Sequence, residues 1–96
     1  MNSTGASILS LNPIDNIVIA LRDIFAGELI SSHGVTVHTP SAVPKGHKIA
    51  SASISEGQNI LRYGQVIGQA SSVILPGEHI HTHNLAMVDK EKKYLF

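Results

Sequence analysis

Four short segments of this chain carry one pattern, with glycine at the same place in each. Ile24, Gly27, Glu28 and Ile30 share their offsets with Ile54, Gly57, Gln58 and Ile60, and again with Ile74, Gly77, Glu78 and Ile80. Val43, Gly46, His47 and Ile49 make a looser fourth copy. Each reads apolar, two spacers, glycine, polar, one spacer, apolar. Glycine in that place supplies the positive φ that tight turns demand, and the flanking apolar residues anchor the chain entering and leaving. One match could arise by chance, but four argue for recurring turn-strand units. Their intervals are too uneven for a solenoid. They read as the corners of a small, compact β fold.

The segments between the corners are short and rich in β-formers. Ile8 to Leu11 is a candidate first strand, followed by turn-forming residues at Asn12-Pro13-Ile14-Asp15-Asn16. Ile17-Val18-Ile19-Ala20-Leu21 is a continuous, mostly β-branched run whose length favours a strand buried on both faces. Arg22 to Ala26 reads as one helical turn or a loop. Val35 to Thr39 alternates like a strand and stops at Pro40; His47 to Ile54 alternates in part. The glycines at Gly64 and Gly68 suggest bends or close backbone approach in residues 62–70 rather than a regular strand. Ser71 to Leu75 leads into the turn at Pro76-Gly77, and Leu85 to Val88 extends the strand beyond it. The organisation expected is a tail with a first strand over residues 1–14, a domain over 15–88 and a charged tail over 89–96. Tyr94-Leu95-Phe96 is apolar for a terminus, and either docks on a partner or symmetry mate or frays.

Composition narrows the function. The seven basic and seven acidic side chains cancel, and no basic run precedes the tail, which argues against a nucleic-acid partner. No apolar run reaches the ~20 residues that span a bilayer, and Met1 to Ser10 has no basic residue ahead of an apolar stretch, as a secretory leader would. The absence of cysteine rules out disulfides and thiolate metal sites and fits the cytoplasm. Any metal would be held by histidine, carboxylate, carbonyl or water.

Half of the six histidines fall in His79-Ile80-His81-Thr82-His83-Asn84, just after the Pro76-Gly77 turn. In an extended strand, alternate side chains share a face, so His79, His81 and His83 would stand together. Neutral imidazole is the commonest metal ligand and a proton carrier near pH 7. Three solvated histidines on a loop would be the bland alternative.

Four motifs, in order, resemble those of a known family. Asp15 to Leu21 looks like its opening DNVxVAL, and Pro44 to Ala50 (Pro-Lys-Gly-His-Lys-Ile-Ala) its P-x-G-H-K-x-A. Ile60 to Gly68 is similar to V-x-K-Y-G-x-x-I-G, and Gly77 to Asn84 to G-x-x-V-H-x-H-N. The family is the altronate and galactarate dehydratases, including the small subunit of sulfolactate sulfo-lyase, and the part matched is its N-terminal SAF-type domain. The resemblance implies a mainly β, SAF-type β-clip fold of short bent strands and hairpins, with at most short helical turns. It also implies metal-assisted elimination of water from a sugar acid, with a much larger catalytic domain fused or supplied as a separate chain. The chain stops at Phe96 and so departs from the fused form, being a free-standing small subunit or a cut-out domain. Arg62 stands where the motif has lysine, and His79 falls at a position the motif leaves open, which ranks it below His81 and His83.

Removing a proton beside a carboxylate while hydroxide leaves the next carbon calls for a base, an acid and a cation. The expected acid-base residues are His47, His81 and His83, with His81 and His83 as ligands of a divalent metal, iron foremost and manganese or magnesium as alternatives. Lys48, Tyr63 and Asn84 are the candidate substrate contacts. Each has a plainer reading: a surface lysine, a half-buried core tyrosine and a turn-forming asparagine. His33 and His38 read as solvated. Self-association is left open. The expectation is a dehydratase component that needs its large partner; a non-catalytic SAF binding module or a sulfolactate sulfo-lyase small subunit is the alternative, and an autonomous small metalloenzyme ranks last.

Overall fold

The computed structural model describes residues 7–32 and 34–86, which form strands and turns with no helix. The strands are β1 (Ile8–Leu9), β2 (Ile17–Ala20), β3 (Leu29–Ser32), β4 (Val35–His38), β5 (Lys48–Ala50), β6 (Asn59–Arg62), β7 (Gln65–Ala70), β8 (His79–Ile80) and β9 (Leu85–Ala86). They make an antiparallel sheet ordered β1-β2-β5-β8, the hairpin β3-β4, and a sheet ordered β6-β7-β9. The mainly β expectation holds, and the candidate helical turn at Arg22 to Ala26 is instead a bend and bridge. The expected extension of the histidine strand by Leu85 to Val88 does not hold in the described residues: Leu85–Ala86 is a separate strand, β9, paired with β7 in another sheet. Met87, Val88 and the tail over 89–96 lie outside the described part, as does His33.

All four glycine corners are turns, and Gly27, Gly46, Gly57 and Gly77 all have positive φ. The corners pair. Ile24 bridges Val43 and Ile54 bridges Ile74, each through two reciprocal backbone hydrogen bonds. The hairpin β3-β4 springs from the first pair and β6-β7 from the second. The bonds correspond: Gly46 donates to Ala20 and Gly77 to Ala50, both at 2.8 Å. Two structurally similar units therefore follow one another, and β5 closes the first while opening the second.

Each unit has its own core. Ile24, Ile30, Val43 and Ile49 gather with Ile8, Val18, Ala20 and Val37; Ile54, Ile60, Ile74 and Ile80 gather with Ile17, Ala50 and Ala70. The apolar residues flanking the glycines are thus the centres of the two cores, each contributing about 1.5–3 kcal/mol by burial. Within β2, Ile17 faces one core and Val18 the other, so this strand is buried on both faces as its composition suggests. Leu21 lies past its end and is exposed.

Residues 65–70 form a strand, β7, whose register against β6 shifts beside Gly68: Ile60 pairs with Gly68 but Leu61 with Val66. A side chain on Gly68 would meet the Ala86 carbonyl of β9 at 2.6 Å, so this glycine permits the close approach its place in the sequence suggests. One further expectation needs correction. Tyr63 is not a core residue: it is 61% exposed at the tip of the β6-β7 hairpin, with φ of 57°. Tyr63 and Gly64 form a two-residue turn with both φ positive, as tight hairpins require. Distant Asp15 stabilises it, its carboxylate accepting the Tyr63 N–H at 2.9 Å and the Gly64 N–H at 2.7 Å.

Candidate functional site

Three of the four corners share a side-chain device. The residue after the glycine turns its side-chain oxygen back to accept the backbone N–H three residues earlier: Glu28 from Phe25, Gln58 from Ser55 and Glu78 from Leu75. In the fourth corner the earlier residue is Pro44, which has no N–H to offer. The side chain at position 47 has no such bond to make. It is a histidine, and it points to the histidine strand.

Pairing of β5 with β8 sets Ile49 opposite His79 and Lys48 opposite Ile80. Continuing that register by one residue sets His47 opposite His81. Their rings stack with centroids 5.0 Å apart and planes 13° from parallel. His47 Nδ1 lies 2.9 Å from His79 Nε2, a hydrogen bond in which either ring donates according to tautomer. His79 also stacks on His81 at 5.4 Å and lies 5.9 Å from His83. His79 is therefore the hub of the cluster, although the motif ranks it below His81 and His83.

The strand carrying these rings is shorter than alternation suggests. It ends at Ile80, and residues 81–84 form a turn. Asn84, 4% exposed, explains why: its Oδ1 accepts the His81 N–H and its Nδ2 donates to the His79 carbonyl, both at 3.0 Å. The His81 carbonyl accepts in turn from Asn84 and Leu85 N–H. Both polar ends of the Asn84 side chain are thus engaged in closing the turn.

Burial first, and then the positive forms of His47, His81, His83 and Lys48, hold the His79 pKa below the usual imidazole value. Lys48 is also lowered, by burial and then by Arg62. The site thus gathers cations and imidazoles. His79 and His83 line an open cleft of about 220 Å³ with Asn84, Pro40, Ser41, Ser72, Val73 and the acidic Glu78. That is below the ~300 Å³ at which small-molecule pockets usually begin. Tyr63 does not stack on any imidazole; its ring meets the Arg62 guanidinium at 5.7 Å. His38 is exposed on β4.

Imidazole nitrogen suits divalent first-row metals. Among the described residues, however, no three histidine or carboxylate side chains converge as a metal would require.

Residues 6–88 match the model of the altronate/galactarate dehydratase SAF domain. The chain belongs to that family. It is 45% identical over 78 residues to altronate dehydratase of Bacillus subtilis and 37% over 76 residues to that of Escherichia coli. These matches cover 81% and 79% of this chain but only 16% and 15% of the two relatives. A third relative, (2R)-sulfolactate sulfo-lyase subunit alpha of Chromohalobacter salexigens, is 27% identical over 74 residues, covering 71% of this chain and 79% of that subunit. Among the described residues no helix is long and apolar enough to cross a membrane.

Proposed function

We propose that this SAF domain is one component of a metal-dependent sugar-acid dehydratase of the altronate/galactarate type, working with a larger catalytic chain or domain in the cytoplasm. The observation that carries the reading is the cluster of four imidazoles, two of which, His79 and His83, line a small cleft open to solvent. Such a cleft calls for a second wall, and most of each related altronate dehydratase lies outside the matched domain.

The reaction proposed removes the proton beside the carboxylate and expels hydroxide from the neighbouring carbon. A C–H and a C–O bond break, an enol forms, and the enol becomes a 2-keto-3-deoxy acid. A neutral imidazole of the cluster accepts the proton, and the hydrogen-bonded His47–His79 pair gives that proton a second place to reside. Lys48, with its ammonium partly desolvated and without an ion-pair partner among the described residues, attracts the substrate carboxylate. A divalent ion held by cluster histidines would polarise carboxylate and hydroxyl together. Asn84 acts by shaping the turn that carries His81 and His83.

A second reading has its own observation: the match covers 79% of a sulfolactate sulfo-lyase alpha subunit. In that case the leaving group would be sulfite instead of hydroxide, from the same kind of hydroxy-acid carbanion. Mixing the purified chain with a large dehydratase chain and a divalent metal, then assaying altronate, galactarate and sulfolactate, separates the two. Elimination that depends on this chain supports a catalytic component. A verified complex that turns over none of the three contradicts it.

A further inference from the structure

Phe25 and Tyr63 are the phenylalanine and tyrosine of the described residues, and neither enters a core. Phe25 is 73% exposed, although an aromatic ring has more apolar area to bury than most side chains. Its backbone is nonetheless fixed from both sides. The Phe25 N–H donates to Glu28 Oε1 at 2.6 Å, and the Phe25 carbonyl accepts from the Thr39 hydroxyl at 2.8 Å. Thr39 is fully buried, and Glu28 is itself held by Arg22. A large ring carried on a backbone that is already ordered has little freedom left to lose on binding, as an anchor residue requires.

The ring is part of a wider surface. Phe25 lines a hollow of about 260 Å³ with Ala42 and Pro44, over the Ile24–Val43 bridge. Residues 40–44 join this hollow to the histidine cleft, because Pro40 and Ser41 line the cleft while Ala42 and Pro44 line the hollow. Val73, 61% exposed, lines the same cleft beside the second bridge, and Leu75 on the other side of that bridge is 55% exposed. Among the described residues no lysine or arginine lines either concavity. The two carboxylates that do are turned to backbone: Asp23 Oδ1 accepts the Lys45 N–H at 2.8 Å, and Glu78 Oε1 the Leu75 N–H at 3.0 Å. An exposed aromatic ring in a surface depleted of free charge is the composition of a protein–protein interface centre.

We infer that the surface running from Phe25 over residues 40–44 to Val73 is where the larger dehydratase chain docks, with Phe25 as the anchor in an apolar pocket of that chain. This rests on the reading of the domain as one part of a dehydratase site. Two features select that occupant. The surface is continuous with the histidine cleft, so a chain seated on it closes the cleft. The matched domain is also only 16% and 15% of the two altronate dehydratases, which leaves most of each relative to cover it. Ile14 is as exposed, at 63%, but it lies beside the Tyr63–Gly64 turn, lines neither concavity and stays outside the contact.

The test takes the full chain with labelled methyl groups and, as unlabelled partner, Bacillus subtilis altronate dehydratase without its matched 78 residues. The expected result is a complex in which the methyl signals of Ala42, Val73 and Leu75 shift and that of Ile14 does not. Phe25→Ala should leave urea unfolding of the free chain unchanged and weaken the complex at least about tenfold. Ile14→Ala should change affinity by less than about threefold. In a second arm, residues 6–88 replace the matched segment in the full-length enzyme, where Phe25→Ala should speed proteolysis at the domain junction several-fold. Shifts confined to the Ile14 side, undiminished binding by the Phe25 variant, or equal cleavage of the two full-length forms would each overturn the surface. Self-association of the free chain that Phe25→Ala abolishes would overturn it too, by giving the surface to a second copy. A complex that forms through another face and still eliminates water from altronate overturns this surface and leaves the functional reading standing. A complex that forms here but turns over none of altronate, galactarate and sulfolactate upholds the surface and removes that reading.

Discussion

Gly46 and Gly77 occupy equivalent corners of the two units, with φ of +88° and +93°. Alanine at either site must adopt a left-handed backbone, at about 1–2 kcal/mol. The surroundings then separate them. A Cβ on Gly46 would meet nothing within 4 Å, whereas on Gly77 it would lie 1.8 Å from the His38 carbonyl oxygen. That overlap involves backbone on both sides and cannot be relieved by turning a flexible side chain, so the end of β4 or the start of β8 has to move. Overpacking of this kind costs about 1–3 kcal/mol more, and sometimes beyond that. Gly46→Ala should therefore lower stability by about 1–2 kcal/mol, and Gly77→Ala by roughly 2–5 kcal/mol. For a domain of this size each kcal/mol lowers Tm by about 4–8 °C. Urea unfolding of both variants measures the difference. Because Gly77 precedes His79, the Gly77 variant should also shift the imidazole resonances of the cluster. Equal stability of the two variants within about 0.5 kcal/mol would refute the packing of β4 against this corner.

Tyr63→Asn should raise stability by up to about 1 kcal/mol, because asparagine tolerates the left-handed conformation better than tyrosine; destabilisation in thermal melts would return Tyr63 to a core role. Asp15→Ala should cost about 1.5–3 kcal/mol by leaving two hairpin N–H groups without their charged acceptor, and a change below about 0.5 kcal/mol in the same melts would remove that carboxylate from the account. Asn84→Ala should cost about 2–4 kcal/mol and disperse the histidine resonances, since it takes both an acceptor and a donor from a buried turn; a folded variant with unchanged imidazole shifts would contradict its positioning role. The hydrogen bond from Arg22, and then that from Phe25 N–H, lowers the Glu28 pKa from 4.5 to about 2. A lowered carboxyl pKa stabilises the fold above the unfolded-state value, so this contribution is complete at neutral pH and disappears as pH falls from about 4.5 to about 2. With the two side chains 46% and 25% exposed, it should amount to no more than about 1 kcal/mol and shrink in salt. Glu28→Gln keeps a neutral acceptor, as Gln58 does in its own corner, and should flatten acid unfolding in that range; an unchanged acid profile would contradict the pair.

The corners were legible because their requirements are local: a glycine with positive φ and two apolar anchors lie within seven residues of chain. Which corners pair was not legible, since Ile24 with Val43 and Ile54 with Ile74 meet through backbone bonds that no residue type announces. The His79 to His83 alternation foretold a shared surface, although the strand breaks after Ile80 where the Asn84 side chain folds the chain back. The proximity of His47 depended on the register of β5 against β8, a long-range property. Its local signal lay in the sequence all the same, in the proline that removes one N–H and the histidine standing where the other corners have glutamate or glutamine. Tyr63 was misread because hairpin turns favour glycine and asparagine, and the carboxylate that supports this one comes from Asp15, far away in sequence.

If the imidazole cluster is one part of a dehydratase site completed by a larger chain, this domain should rescue an altronate dehydratase whose own SAF domain has been deleted, read as formation of 2-keto-3-deoxy acid. Elimination should return with the unaltered chain and fall at least about a hundredfold when His47 and His79 are both replaced by alanine, as loss of acid-base contact entails. Restored elimination that is indifferent to those two replacements would contradict it.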